Sequence, residues 1–241
     1  MDFEPRLGAS PMLVVVAFLS QKGGVGKSTL ARALAAVAAL TRIKVKLADL
    51  DPRQHTVASW QERRQESRTA PALHVARYAT AAEAIEAASS GDELLVLDAP
   101  AGTSNATLDI ARSADLVVQP SGPSIDDLDP AILLFHELVR AGISRDRLVV
   151  ALCRVATKDE ENRARAYVQR AGYAVLSGSI PERAAYRDAH NRGQAVTETK
   201  LQALNERTDT LMGELLSMIT DRVKLRVAAA KRTQQKGGRK A

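Results

Sequence analysis

The 241-residue chain has one cysteine, Cys153, few aromatic side chains and no long apolar run. One thiol cannot form an internal disulfide or a multi-cysteine metal site, so both are excluded. No apolar stretch approaches the roughly 20 residues needed to cross a bilayer. The start, residues 1–5, lacks the basic-then-apolar order of a signal peptide. We therefore expect a soluble protein of the cytosol.

Aromatic residues make up 3% of the chain, which argues against base stacking on single-stranded nucleic acid. Hydrophobic residues make up 45%, enough for the core of one large α/β domain. We expect a short flexible extension over residues 1–11, a single domain over 12–227, and a basic, disordered tail over 228–241.

Positive charge is concentrated at the C-terminal end. The net charge is +6, and residues 222–241 contain eight basic side chains and no acidic one. Such a segment favours a polyanionic partner, either nucleic acid or an anionic membrane. The alternative is a solvated end that binds nothing in particular. The basic residues proposed to contact DNA are Arg222, Lys224, Arg226, Lys231, Arg232 and Lys236.

Strand-length apolar runs alternate with helical patterns along the chain, and several runs are continuous rather than alternating in polarity. This is typical of a doubly wound, mostly parallel sheet with helices on both faces, in which ligands bind at the carboxyl ends of strands. The predicted strands are 13–19, 44–48, 73–78, 94–97, 116–119, 148–152 and 173–176. The predicted helices include 28–40, 80–88, 125–141, 159–171 and 197 to roughly 227.

A glycine-rich stretch follows the first predicted strand and leads into an alanine-rich helix. In this context glycines let the backbone approach phosphate oxygens, and the helix N-terminus supplies unpaired N–H groups. Lys27 is expected to neutralise the β- and γ-phosphates, Ser28 to ligate Mg²⁺, and Thr29 to support the α-phosphate. The predicted nucleotide-binding residues here are Lys22, Gly23, Gly24, Val25, Gly26, Lys27, Ser28 and Thr29.

The loop departs from the usual phosphate-loop pattern, because Gln21 stands where glycine is expected and Lys22 follows it. The sequence K-G-G-V-G-K-S-T resembles the deviant Walker motif of the ParA/MinD superfamily of P-loop ATPases. The resemblance implies an ATP-dependent homodimer in which Lys22 reaches the phosphates bound to the partner. A cation delivered in trans would offset the charge that develops during phosphoryl transfer. The alternative is a solvent-facing Lys22 without such a role.

Three aspartates follow two of the predicted strands. Asp49 and Asp51 lie two residues apart on an extended segment, so their side chains point the same way. The resemblance implies that Asp51 positions the attacking water and contributes to the metal site, and that Asp49 supports either the metal or the geometry of the loop. Asp98 ends an apolar run typical of a Walker B strand and would hold Mg²⁺. Aspartates are also common at strand ends for their turn-forming geometry alone.

A later segment, residues 179–193, resembles the I-P-R-type segment of the same family and the helix after it. The resemblance implies base-recognition loops near Pro181 and near the end of the preceding core strand. Relatives often carry a polar amide at that strand end, where this chain has Cys153 and Arg154. Adenine preference is thus implied by the family rather than by individual contacts.

We interpret the chain as a short ParA-type partition ATPase without an N-terminal helix-turn-helix domain. The resemblance implies ATP and Mg²⁺ as cofactors, weak ATP hydrolysis, nonspecific binding of the dimer to duplex DNA of the nucleoid, and a ParB-type or other cargo adaptor. A MinD-like membrane-associated ATPase is the main alternative, although no membrane partner is expected because the tail has few bulky apolar residues. A metabolic ligase related to dethiobiotin synthetase is a more distant one.

Overall fold

The computed structural model describes residues 13–52, 56–88, 91–102 and 105–237. These residues form seven β-strands, eight α-helices and a short 3₁₀ helix at Arg145–Arg147. The strands are β1 Val14–Ser20, β2 Val45–Asp49, β3 His74–Arg77, β4 Leu94–Ala101, β5 Leu116–Ser121, β6 Leu148–Val155 and β7 Ala174–Pro181. The helices are α1 Lys27–Leu40, α2 Thr56–Glu66, α3 Ala81–Glu86, α4 Asn105–Ser113, α5 Ile125–Arg140, α6 Lys158–Arg170, α7 Ala184–Asn191 and α8 Gln202–Gly237.

All seven strands pair in parallel into one sheet, in the order β3-β2-β4-β1-β5-β6-β7. Successive residues of β1 point alternately into two hydrophobic cores. Val14, Val16 and Phe18 pack with α1, α2, α7 and α8, whereas Val15, Ala17 and Leu19 pack with α3, α4, α5 and α6. The predicted doubly wound α/β fold is therefore confirmed.

Each of the seven predicted strands is present, and the central ones are continuous apolar runs because both of their faces are covered. Helices α2 and α4 were not among the predicted elements. In α2 the buried residues Val57, Trp60 and Arg64 lie on one face, but an arginine in that set obscures the apolar pattern. The periodicity of the hydrophobic residues alone does not identify such a helix.

Helix α8 packs on the body through Leu211, Leu215 and Ile219, which recur four residues apart and are buried in the same core as α1. The helix continues to Gly237, so the predicted boundary between domain and tail at residue 227 does not coincide with a helix end. Alanine, lysine, arginine and glutamine, which dominate residues 228–236, are all strong helix formers. Residues 1–12, which include the predicted N-terminal extension, and residues 238–241 lie outside the described part. None of the described helices is both long and apolar enough to span a membrane.

A buried ion pair connects α2 to the segment between α7 and α8. The guanidinium of Arg64 donates to both carboxylate oxygens of Glu198, at 2.7 and 2.8 Å, and to the carbonyl oxygens of Pro71 and Gly193. Glu198 also accepts a hydrogen bond from the backbone N–H of Ala195 at 2.7 Å. The pair satisfies its buried polar atoms and holds the chain around residues 193–198 against α2.

Breaking this pair should destabilise the protein strongly, because the remaining partner would be a buried charge without compensation. We expect Arg64→Met to lower the free energy of unfolding by about 3–5 kcal/mol in urea denaturation. The exposed pair between Arg187 and Glu182 provides the matched control, and Arg187→Met should cost at most about 1 kcal/mol. Equal small losses in the two variants would contradict a structural role for the buried pair.

Candidate functional site

The loop between β1 and α1 is closed by a ring of hydrogen bonds around Lys27. The Nζ of Lys27 donates to the Oγ of Ser20 at 2.9 Å and to the carbonyl oxygen of Lys22 at 3.4 Å. The Oγ of Ser20 donates to the same carbonyl oxygen at 2.7 Å. Residues 21–26 thus bend around the lysine head group, as expected of a loop that surrounds phosphate oxygens.

Gly26 is the N-cap of α1, and its backbone has φ of 116°. Residues other than glycine rarely adopt this backbone conformation, and a Cβ there would lie 3.1 Å from the Sγ of Cys153. Cys153 is buried at the end of β6, where burial raises the pKa of its thiol to about 12. The cysteine therefore packs as a small apolar group against the loop and stays a thiol at neutral pH.

Burial lowers the pKa of Lys27, while the nearby carboxylates of Asp98 and Asp51 act in the opposite direction. This arrangement places the lysine head group and two of the predicted acidic residues in one electrostatic neighbourhood. Thr29 lies in the same first turn of α1 and is partly exposed. The structure thus brings together the residues predicted for phosphate, metal and water positioning.

Asp49 and Asp98 stand side by side, because β2 and β4 are parallel neighbours and these two residues are in register. Each is 2% exposed. Burial raises the pKa of Asp98 to about 7, the Ser28 hydroxyl opposes this by donating a hydrogen bond to it, and Asp49 adds to it by charge repulsion. Asp49 Oδ1 accepts a hydrogen bond from the backbone N–H of Asp51 at 3.0 Å, which shapes the turn after β2.

The donor set around Ser28 and Asp98 fits a magnesium ion carried by a nucleotide. Within the described part of the chain, Asp98 Oδ1 and Asp49 Oδ2 are buried without a hydrogen-bond partner, so both have acceptor capacity to spare. Magnesium is commonly held by one or two oxygen side chains together with substrate phosphates and water. Ser28 and Asp98 are the residues that would hold it here.

Lys22, at the entrance of the loop, is paired with a carboxylate of the same chain. Its Nζ lies 3.1 Å from Asp127 Oδ1, and its side chain is 43% exposed. Asp127 Oδ2 in turn accepts hydrogen bonds from Ser124 at 3.1 Å and from Arg154 at 3.2 Å. A Cβ at Gly122 would overlap the Asp127 carboxylate, so a larger residue there would displace this cluster.

Asp127 and Ser124 were not among the predicted site residues, and Arg154 was named only as the residue at the strand end near the expected base-recognition loop. A usable indication was present, since Ser124 and the adjacent acidic residues follow the carboxyl end of β5, at the same sheet edge as the phosphate loop. In the structure, the backbone of Arg154 is left-handed, with φ of 57°, which is uncommon for residues other than glycine. Pro181 is buried at the end of β7, where it pairs with Val155 of β6.

The residues predicted to contact DNA lie elsewhere. Arg226 donates to the carbonyl oxygen of Leu13, just before β1, and pairs with Asp115, whereas the phosphate loop follows the other end of β1. Arg222 pairs with Asp146, and Lys224 lies 3.0 Å from Asp221. These three side chains are thus engaged by the protein itself. The side chains of Lys231, Arg232 and Lys236 lie outside the described part of the structure.

The chain matches a family of nucleotide-binding domains and solved structures of the same fold. Residues 16–196 match the family model described as the CobQ/CobB/MinD/ParA nucleotide binding domain. No curated protein sequence matches the chain.

Solved structures match over most of their length at low sequence identity. The MinD cell division protein of Aquifex aeolicus matches with a TM-score of 0.67 and 19% identity, covering 85% of this chain and 97% of that one. The Mg-ADP complex of the septum site-determining protein MinD from Pyrococcus horikoshii OT3 gives 0.63 and 17%, covering 85% and 96%. The ParA family ATPase of Chlorobium tepidum TLS gives 0.57 and 17%, covering 87% and 96%.

The raised pKa of Asp98 predicts a pH-dependent stability of the metal-free protein. A carboxyl whose pKa rises from 3.8 to about 7 on folding penalises the folded state above pH 7, and the penalty fades as the pH falls toward 4. In EDTA, Asp98→Asn should therefore raise the free energy of unfolding by about 2–4 kcal/mol at pH 8.5, and by less than half as much at pH 5. Urea denaturation at the two pH values measures this difference.

Asp188→Asn, an exposed change of the same chemical type on α7, serves as the control and should show no comparable pH-dependent gain. An Asp98→Asn variant that is no more stable than the unchanged protein at pH 8.5 would contradict the electrostatic strain assigned to this carboxylate.

Proposed function

Because the chain belongs to the CobQ/CobB/MinD/ParA family of nucleotide-binding domains, we propose that it is an ATP-dependent partition protein. In this proposal ATP drives a homodimer that binds duplex DNA of the nucleoid without sequence preference. Hydrolysis, stimulated by a cargo-bound ParB-type adaptor or another partner, then releases the subunits. The cargo is a plasmid or another large assembly.

The observation that carries the proposal is the position of the second lysine. Lys27 already serves the phosphate loop of its own subunit and is buried there. Lys22 is part-exposed at the entrance of the same loop and is held by a carboxylate on α5. An exposed cation beside a nucleotide site is suited to contact phosphate oxygens bound to a second copy, as an arginine finger does.

The remaining residues take roles in ATP hydrolysis that their positions support. The backbone N–H groups from Gly23 to Thr29 and the Nζ of Lys27 bind the phosphates, and Ser28 and Asp98 hold the magnesium ion. Bound magnesium would neutralise charge on the phosphate oxygens. Asp51, partly exposed beside Lys27, orients the attacking water, while Asp49 keeps the Asp51 turn in place through its hydrogen bond to the backbone.

One observation favours the membrane-associated alternative. Helix α8 exposes Leu225, 60% accessible, and Val227, 38% accessible, near its basic end. Apolar side chains beside basic ones can enter the interface of an anionic bilayer. Two such residues give a small apolar face, however, whereas the run of positive charge suits the phosphates of duplex DNA.

Dimerisation provides the first test. We expect Lys22→Ala to reduce the dimer fraction at saturating Mg-ATP by about tenfold or more, because alanine cannot reach the phosphates bound to the partner. ATP binding itself should change little, since Lys27 remains. Asp51→Ala should give a dimer that forms and persists, because the water is no longer positioned. Sedimentation velocity with ATP and with ADP, together with ATP-binding isotherms, measures these properties.

Lys44→Ala removes an exposed lysine away from the loop and serves as the matched control. A Lys22→Ala variant that dimerises as well as this control would show that Lys22 has no role across subunits. A protein with an intact Lys22 and Asp51→Ala that remains a monomer under Mg-ATP would contradict the dimer proposal as a whole.

The C-terminal segment provides the second test. Replacing Lys231, Arg232 and Lys236 together by alanine should weaken duplex binding in the ATP state. The slope of log K against log salt should become shallower by about 0.9 for each DNA phosphate that the variant no longer neutralises. Fluorescence anisotropy with DNA duplexes of two unrelated sequences, at several salt concentrations, measures affinity, salt dependence and sequence preference.

The triple alanine variant of Thr233, Gln234 and Gln235 changes the same segment without changing its charge, and it should bind DNA like the unchanged protein. Loss of binding to anionic vesicles in the basic triple variant, with no duplex binding by the unchanged protein, would favour the membrane alternative. Equal DNA binding by both triple variants would exclude this segment from the DNA contact.

A further inference from the structure

We propose that Arg32 is a positioning residue of the magnesium site: it is a built-in counter-cation for Asp49 and Asp98 and it competes with Mg²⁺ for their charge. The inference rests on the proposed Mg-nucleotide function of the loop.

Arg32 lies on α1 one turn after Ser28, so the two side chains share one face of the helix. Asp49 and Asp98 point from the sheet toward this same helix layer, because the alternate residues Leu47 and Val96 of their strands pack in the α1 core. Arg32 is 6% exposed, and both carboxylates act on its charge. The guanidinium is therefore buried in the field of the two acids.

The indole of Trp60 fixes this position. The guanidinium carbon of Arg32 lies 5.2 Å from the centroid of the Trp60 ring, at the distance of a cation–π contact. Trp60 is itself fully buried, donates from Nε1 to the carbonyl oxygen of Gln194 at 3.1 Å, and lies 5.3 Å from the guanidinium carbon of Arg64. Packing against Trp60 of α2 thus holds the Arg32 guanidinium on one side, and attraction to the two carboxylates holds it toward the sheet.

The charges of the site require such a cation. Two neighbouring carboxylates that are both buried repel each other and lose their hydration, which is costly unless positive charge lies nearby. Lys27 supplies part of that charge but serves the phosphates when nucleotide binds. Burial lowers the pKa of Arg32 to about 10, and the side chain therefore stays cationic at neutral pH.

The surrounding charges support the same assignment. Arg63 acts on Arg32 as a like charge. Burial lowers the pKa of His190 to about 4, and the charges of Arg32 and Arg63 act in the same direction. His190 is therefore neutral at physiological pH and adds no positive charge. Among the described side chains that act on Asp98, the positive ones are Arg32 and Lys27.

Competition follows from this arrangement. Magnesium bound at Ser28 and Asp98 neutralises the same carboxylates that Arg32 neutralises in the metal-free protein. Removing Arg32 therefore costs more free energy without the metal than with it. By thermodynamic linkage, loss of the arginine must increase the affinity for Mg²⁺.

The test compares Arg32→Met with Arg32→Lys in the full chain. ADP is held at a saturating concentration at pH 8.5, free Mg²⁺ is varied, and the emission of Trp60, the single tryptophan, reports metal binding. Arg32→Met should lower the half-saturating Mg²⁺ concentration about fivefold or more, whereas Arg32→Lys should stay within about twofold of the unchanged protein. Arg140→Met, an exposed change on α5, is the control.

Thermal unfolding gives a second readout that does not depend on fluorescence. Arg32→Met should unfold several degrees lower in EDTA, and Mg-ADP should restore more of its stability than it adds to the unchanged protein. If the variant does not fold in EDTA, Arg32→Gln provides the same comparison.

An unchanged or higher half-saturating Mg²⁺ concentration in Arg32→Met would overturn the proposal, as would an equal loss of stability with and without Mg-ADP, which indicates packing alone. Failure of the unchanged protein to bind Mg-ADP would instead reject the nucleotide function. These results are distinguishable because the unchanged protein is measured first.

Discussion

Two buried carboxylates in register on neighbouring parallel strands determine how the rest of this site is built. Asp49 and Asp98 cannot both carry charge in an apolar interior unless cations lie close to them. The protein supplies Lys27 from the loop and Arg32 from one turn further along α1, and Ser28 donates its hydroxyl to Asp98. The first two turns of α1 therefore stabilise the buried carboxylates of the neighbouring strands as well as form the nucleotide site.

Lys22 differs from these cations because the proposed dimer would give it a second partner in place of Asp127. In the structure it pairs with Asp127, which also receives Ser124 and Arg154, so this carboxylate would keep two donors if the lysine left. Part-exposed ion pairs of this kind contribute little free energy. The pair between Lys22 and Asp127 is thus weak enough to be exchanged for the phosphate that a second copy would supply in the proposed dimer.

Much of the fold could be predicted from the sequence because the strands are buried on both faces and read as apolar runs. The phosphate loop and the three aspartates could be predicted because short motifs placed them at the carboxyl ends of particular strands. Contacts between distant segments could not. Asp127 reaches Lys22 across more than a hundred residues, and Arg64, a charged residue in an unpredicted helix, finds its buried partner at Glu198. Periodicity describes which face of an element is buried, but it does not describe which polar side chains meet there.

The long last helix contacts the edge of the sheet where the strands begin, through Arg226. Arg226 attaches it to the chain just before β1 and to Asp115 just before β5, while the loop that follows β1 lies at the opposite edge. The nucleotide site and the basic C-terminal segment of the helix therefore belong to separate parts of the chain. Under the proposed function, exchanging the last turns of α8 would change the surface that the protein binds and leave the nucleotide site as it is.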